Sequence, residues 1–136
     1  LKLNTTSKYA IRILILIAKD SINKYNAKKI SESLDIPYKY LTKLMTSLTK
    51  AGLITSQRGR EGGFVLTKDS SEIFVSDILN AVNESIEKKE CLLGVGLCTG
   101  TNKCGLHDDW QKPKNLLLKM FEKKSLKILT EQAIKF

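Results

Sequence analysis

The stretch DIPYKYLTKLMTSLTKAGLITSQRGREGGFVLTK, residues 35–68, changes its hydrophobic period from that of a helix to that of a strand across a single glycine. Pro37 disfavours helical geometry at Ile36 and suits the first turn of a new helix. A helix is therefore expected from about residue 37 to 51, ended by Gly52 at its C′ position. Leu41, Leu44, Met45 and Leu48 recur at helical spacing and form its expected buried stripe. LITSQ and FVLTK are short β-like runs on either side of the glycine-rich turn RGREGG, so residues 53–68 read as a β-hairpin. A helix that buries one stripe and passes directly into a hairpin leaves few ways to build one domain from 136 residues.

Upstream, TTSKYAIRILILIAKD opens with candidate N-caps at Thr5, Thr6 and Ser7. It is then apolar nearly all round over residues 10–18, the mark of a helix buried on most sides in a core or a subunit contact. A second, short helix follows an Asn26 cap, with Ala27, Ile30 and Leu34 on one face, until Asp35-Ile36-Pro37 breaks it. Two short helices joined by a tight turn resemble a helix-turn-helix, and the hairpin supplies a wing. The expected fold is mainly α with a small β-hairpin wing: a winged helix-turn-helix over residues 1–83.

Downstream, Ser76-Asp77 can start a helix over DILNAVNE. A long segment from about Asp109 carries Trp110, Leu117, Met120 and Phe121 at helical spacing. Pro113 is tolerable only in a first turn, which pins the helix start close to Asp109. Ser125 is the expected cap of a last helix with Leu126, Leu129 and Ala133 facing inward. Such helices are most simply core, and in a chain this small a dimer contact is the second reading of them. Residues 109–136 are thus assigned to dimerisation and residues 84–108 to a cysteine-rich loop, within one compact domain.

Charge is distributed unevenly. Through Lys68 the chain has 13 Lys or Arg against four acidic residues, which accounts for its whole net charge of +9. An excess confined to half of a small domain marks a surface for a polyanion, nucleic acid above all, over the plainer reading of a solvated basic face. On the third helix Lys39, Thr42, Lys43, Thr46 and Lys50 lie opposite the apolar stripe, and no acid occurs between Asp35 and Glu61. The hairpin tip carries Arg58 and Arg60, which can reach an adjacent minor groove; the alternative is a solubilising turn. Lys28 and Tyr38 complete the expected contacts to double-stranded DNA.

All three cysteines and the only histidine fall within CLLGVGLCTGTNKCGLH, together with four of the eight glycines. Cys91, Cys98, Cys104 and His107 are separated by six, five and two residues, unlike the paired spacing of a zinc ribbon or zinc finger. A thin loop wrapped around an iron-sulfur cluster fits better. Gly94, Gly96, Gly100 and Gly105 let the backbone approach closely and turn N–H groups toward sulfur. Three thiolates leave one coordination site, for which His107 is the natural candidate and Asp108 the alternative oxygen ligand. The plainer readings are adventitious packing for the cysteines and helix capping for His107.

The strongly apolar run at residues 10–18 is interrupted by Arg12 and falls well short of the roughly 20 residues that cross a bilayer. No small-residue cleavage site follows it. No membrane association is expected, and the expected location is the cytoplasm, where thiols stay reduced.

SKYAIRILILIA, YLTKLMTSLTKAGLITSQRG, GGFVLTK and VSDILNAVNE, followed by three cysteines, resemble in order and spacing the Rrf family of bacterial winged-helix transcription regulators over nearly the whole chain. The resemblance implies a homodimer on a roughly palindromic operator, with residues near Pro37, Lys39 and Thr42 facing base edges and Arg58 entering the minor groove. It also implies an iron-sulfur cluster, which family members with three cysteines carry. Some relatives complete that cluster with an acidic residue from the first helix of the other subunit. Lys8 holds the corresponding position here and cannot ligate, which favours His107 and a 2Fe-2S over a 4Fe-4S cluster. Three departures from the family pattern are visible. Thr42 stands where cluster-binding relatives often place a glutamate, Arg60-Glu61 stands where many have proline and glycine, and Cys91 and Cys98 are one residue further apart than is common.

The functional expectation is a transcription regulator with no enzyme activity and no small-molecule substrate. One alternative keeps the DNA-binding dimer but uses the cysteines as a thiol redox switch or zinc site. The other is a small electron carrier or enzyme. Against it, the sequence has no histidine outside the loop and no phosphate-binding glycine motif, and a carrier has no use for a basic half.

Overall fold

The structure, a computed structural model, describes residues 2–20, 24–59, 62–84, 92–93 and 103–132. Helix α1 (Thr5–Lys19) is started by Asn4, whose side-chain oxygen accepts from the Ser7 amide at 2.8 Å. Thr5, Thr6 and Ser7, the caps expected from sequence, occupy the first turn instead, because Asn4 already serves the N3 donor. The helix buries Ala10, Ile13, Leu14, Ile15 and Ile17, in keeping with its nearly continuous apolar surface. Helix α2 (Ala27–Leu34) is capped as expected by Asn26, which accepts from the Lys29 amide at 2.8 Å.

Helix α3 (Tyr38–Lys50) buries Leu41, Leu44, Met45 and Leu48, the stripe read from the sequence. Each such side chain contributes about 1.5–3 kcal/mol of burial free energy. The helix ends in a Schellman arrangement: the Gly52 amide donates to the Thr49 carbonyl at 3.0 Å and the Leu53 amide to the Leu48 carbonyl at 3.1 Å. Gly52 holds φ at 78°, which a side chain would disfavour.

Strands β1 (Ile54–Gln57) and β2 (Gly63–Leu66) form the antiparallel hairpin, with Ile54 opposite Leu66 and Gln57 opposite Gly63. Tyr25, between α1 and α2, adds a bridge to the other side of Phe64, whose amide donates to the Tyr25 carbonyl at 2.8 Å. That bridge fastens the wing to the body of the domain.

A short 3-10 turn (Ser70–Glu72) leads to α4 (Val75–Ala81), which begins just before the expected Ser76-Asp77 start. Asp77 acts at N3 rather than as the first residue, its carboxylate accepting from the Phe74 amide at 2.9 Å. Helix α5 (His107–Lys123) begins ahead of the start inferred from Pro113, and Pro113 lies inside it. The Asp109 carbonyl thereby loses its helical donor, but both residues are exposed, so solvent can bond that carbonyl.

Helix α6 (Leu126–Glu131) is capped by Ser125, which accepts from the Ile128 amide at 3.3 Å. It packs against α1, with Leu126 fully buried and Leu129 against the core; Ala133 lies outside the described residues. The Leu126 amide donates to the Ile73 carbonyl at 2.7 Å and the Val75 amide to the Lys124 carbonyl at 2.9 Å, closing the chain end onto the start of α4. Ile13, Leu14, Ile30, Leu41, Leu48, Ile54, Ile73 and Ile78 are the largest fully buried side chains of the core beside Leu126. Of the two readings of α5, core and subunit contact, the structure bears out the first in part: no residue is fully buried, but Trp110, Leu117 and Phe121 are half-buried, Met120 is exposed, and the helix packs against α4. Among the described residues no helix is long and apolar enough to cross a membrane.

Candidate nucleic-acid interface

The turn between α2 and α3 is tight because Asp35 takes a left-handed conformation, φ 53° and ψ 49°. The Ile36 amide donates back to the Ser31 carbonyl at 3.1 Å, and the Ser31 hydroxyl donates to the Ile36 carbonyl at 2.6 Å. Ile36 is buried, which anchors the turn between the two helices.

On the outer side of α3, Lys39, Lys43, Thr46 and Lys50 are exposed and Thr42 is half-buried, as the sequence pattern requires. Pro37 precedes the helix in the exposed turn, Tyr38 is 55 % exposed, and Lys28 is exposed on α2. Arg58 is exposed at the end of β1; Arg60 lies outside the described residues. The hydroxyls of α3 are engaged internally. Thr42 donates to the Lys39 carbonyl at 2.9 Å, Thr46 to the Thr42 carbonyl at 2.9 Å and Thr49 to the Met45 carbonyl at 2.7 Å.

Tyr38, Thr42, Thr46 and Lys50 meet Phe64 of the wing around one groove of about 410 Å³, with Ala27, Met45 and Thr49 also lining it. Sequence reading missed Thr49 and Phe64. Thr49 continues the Thr42 and Thr46 row by one turn and was readable; Phe64 reaches the groove only through the nonlocal bridge to Tyr25.

Of the four expected metal ligands, Cys91 and Cys98 lie outside the described residues. Cys104 is a half-buried free thiol, and the His107 amide donates to its carbonyl at 3.1 Å. His107 is the first residue of α5, Leu106 holds the cap position, and the imidazole Nδ1 is buried with no hydrogen-bond partner. His107 therefore does not cap the helix through its side chain. Asp108 is exposed in the first turn. Among the described residues no three His, Cys, Asp or Glu side chains gather into a metal site.

Glu84, the last described residue before the loop, accepts from the Asn4 amide at 3.0 Å through Oε1, while its Oε2 is buried without a partner. The next residues of α1 touch α3. Thr6 hydrogen-bonds the Tyr40 phenol, and the Tyr9 and Tyr40 rings meet edge to face at 5.8 Å.

A basic, acid-free helix exposed beside a wing is the working surface of a winged-helix DNA-binding protein. Residues 3–132 match the Rrf2 family, described as iron-dependent transcriptional regulators, and the chain belongs to that family. It is 36 % identical over 112 residues to the HTH-type transcriptional regulator IscR of Escherichia coli, covering 82 % of this chain and 68 % of that one. Its fold is similar to CymR, the global cysteine regulator of B. subtilis, with a TM-score of 0.80 at 25 % identity over 96 % of both chains. It is also similar in fold to T. potens IscR, with a TM-score of 0.74 at 23 % identity over 99 % of this chain and 94 % of that one.

Proposed function

We propose that this chain is a homodimeric regulator of the cytoplasm that binds double-stranded operator DNA and whose affinity depends on an iron-sulfur cluster held by its cysteine loop. The exposed outer side of α3 carries the DNA reading: Lys39, Lys43 and Lys50 are exposed on the helix that bears the threonine row, and Arg58 is exposed on the wing. Lys28, Pro37, Tyr38, Thr42 and Thr46 complete the contact surface, and Arg60, two residues after Arg58 in the sequence, is a further contact. The unburied length of α5, with Leu116 67 % and Met120 45 % exposed, supports pairing with a second copy. Residues 1–83 form the DNA-binding region, residues 84–108 the cluster loop and residues 109–136 the dimerisation helices.

The described part of the ligand set fits the cofactor. A buried imidazole nitrogen without a partner costs free energy, and coordination removes that cost; Cys104 sits three residues away. Cys91, Cys98, Cys104 and His107 would hold the cluster, with 2Fe-2S favoured over 4Fe-4S because one ligand is an imidazole. Lys8 is exposed on α1 and brings no ligand. When bound, such a cluster supplies a charge and ligation state that respond to oxidation, to iron-sulfur supply or to nitric oxide.

The chain offers two routes from the loop to DNA. The loop runs directly into α5, so fastening it resets the spacing of the two recognition helices. Glu84 also holds Asn4 at the start of α1, whose first turn holds Tyr40 on α3. A coupling of about 1–3 kcal/mol changes operator affinity about 5–150-fold.

Anaerobic purification with iron and sulfide analysis, a visible spectrum and redox titration tests the cofactor reading. Cys98→Ala abolishes assembly. His107→Ala leaves a labile cluster with an altered spectrum, and His107→Cys rebuilds a four-thiolate site at lower potential, because added negative charge stabilises the oxidised form. An unchanged spectrum, potential and cluster lifetime in His107→Ala would remove His107 from the ligand set and leave Asp108, a residue of the second subunit or an exogenous ligand. Wild-type protein without iron and sulfide would leave the thiol switch or zinc site.

A further inference from the structure

We propose that the groove between α3 and the wing reads thymine methyl groups, so that this regulator selects operators carrying a short run of thymines in each half-site. The inference rests on the DNA-binding role above and names the base chemistry that role uses. Thr42, Thr46 and Thr49 stand at i, i+4 and i+7 and form one row along α3. Each hydroxyl already donates to a carbonyl of the same helix, at 2.9, 2.9 and 2.7 Å respectively. Those bonds hold each Oγ1 against the backbone and leave the Cγ2 methyl as the free end of the side chain. The hydroxyls retain lone pairs, so toward DNA they are acceptors and not donors.

Apart from Tyr38 and Lys50, the rest of the groove has the same character. Met45 and Phe64 are apolar, Ala27 adds a methyl, and the volume of about 410 Å³ is open on the side where α3 faces solvent. In the major groove of B-DNA the thymine C5-methyl is the one apolar group on a base edge, and only this group matches an apolar wall. Guanine, by contrast, asks for paired donors on O6 and N7. The donors near this row are the Tyr38 phenol, which offers one O–H and not a pair, and Lys39, Lys43 and Lys50, flexible ammonium groups suited to phosphates as point charges.

The dimensions agree. Seven residues of helix from Thr42 to Thr49 rise about 10.5 Å, and three base-pair steps rise about 10 Å. The row therefore spans a run of about three to four thymines on one strand.

The test uses a duplex selected by the wild-type protein from a randomised pool and resynthesised with deoxyuridine at each thymidine in turn, a change that deletes only the methyl group. Wild type loses affinity about fourfold at each of two or three positions per half-site, the loss of one buried methyl apiece. Thr46→Ser keeps the hydroxyl and deletes the protein's methyl, and it loses the response at one of those positions. Thr46→Val keeps the methyl, and with it the response. Deoxyuridine tolerated at every position, or a Thr46→Ser profile identical to wild type, overturns the inference while leaving DNA binding intact. If no duplex is enriched over the pool, sequence-specific DNA reading fails, and the methyl readout fails with it.

Discussion

The Tyr40 phenol on α3 hydrogen-bonds the Thr6 hydroxyl in the first turn of α1, and the Tyr40 ring meets the edge of Tyr9 one turn further on. Through Asn4 and Glu84 the same turn of α1 is tied to the root of the cysteine loop. Tyr40→Phe keeps the ring contact and deletes the bond, which costs about 0.5–1.5 kcal/mol of stability in chemical denaturation. It also narrows the ratio of operator affinities between cluster-free and cluster-loaded protein. An unchanged ratio means that coupling runs through α5 alone.

Arg58 and Lys50 are expected to differ in kind. Arg58→Ala weakens binding to the selected operator by about 1–3 kcal/mol and relaxes sequence preference beside the wing. Lys50→Ala weakens all duplexes about equally and lowers the slope of log affinity against log salt by about one unit, as a phosphate contact does. Titrations of selected and random duplexes across salt concentrations separate the two. A sequence-specific loss for Lys50→Ala would place its ammonium on a base.

Gly63 begins β2 against the backbone of Tyr25, and a Cβ there would lie 2.7 Å from the Tyr25 carbonyl oxygen and 2.9 Å from its carbon. Neither atom belongs to a flexible side chain, so Gly63→Ala must push the wing off its bridge. A stability loss of about 1–3 kcal/mol follows, with helical circular dichroism retained and operator affinity reduced. Wild-type stability for this variant would show that the bridge to Phe64 does not hold the wing.

Leu116 and Met120 stand one turn apart on α5 and are the most exposed large apolar side chains of that helix. Leu116→Glu places a charge in the contact assigned to the second copy. Sedimentation at micromolar concentration then shows monomer where wild type shows dimer, and operator affinity falls because only one half-site is held at a time. A dimer of unchanged stability would put the subunit contact elsewhere.

The sequence was most legible where short-range physics decides. The Leu41, Leu44, Met45 and Leu48 stripe, the Asn26 and Ser125 caps and the Gly52 stop follow from periodicity and local hydrogen bonding, and the structure has each of them. Pro113 misled because a missing amide donor was weighed without its exposure; on a solvent-facing side the helix continues through it. On α5 helical spacing identified an apolar face, and Trp110, Leu117 and Phe121 are half-buried, but spacing does not say how much of that face the same chain covers. In the candidate site, the basic side of α3 was readable from the absence of acids. The bond between Asn4 and Glu84, 80 residues apart, and the placement of Phe64 beside α3 are tertiary contacts that no local pattern encodes.

The most direct test of the regulatory role is the anaerobic affinity of one selected duplex for cluster-free and cluster-loaded protein at fixed salt. The two forms are expected to differ about 5–150-fold, the span of a 1–3 kcal/mol coupling. Iron and sulfide should remain bound in the loaded form, and the difference should disappear in Cys98→Ala. Equal affinities of the two forms, with the cluster demonstrably in place, would contradict a DNA-binding switch controlled by the cysteine loop.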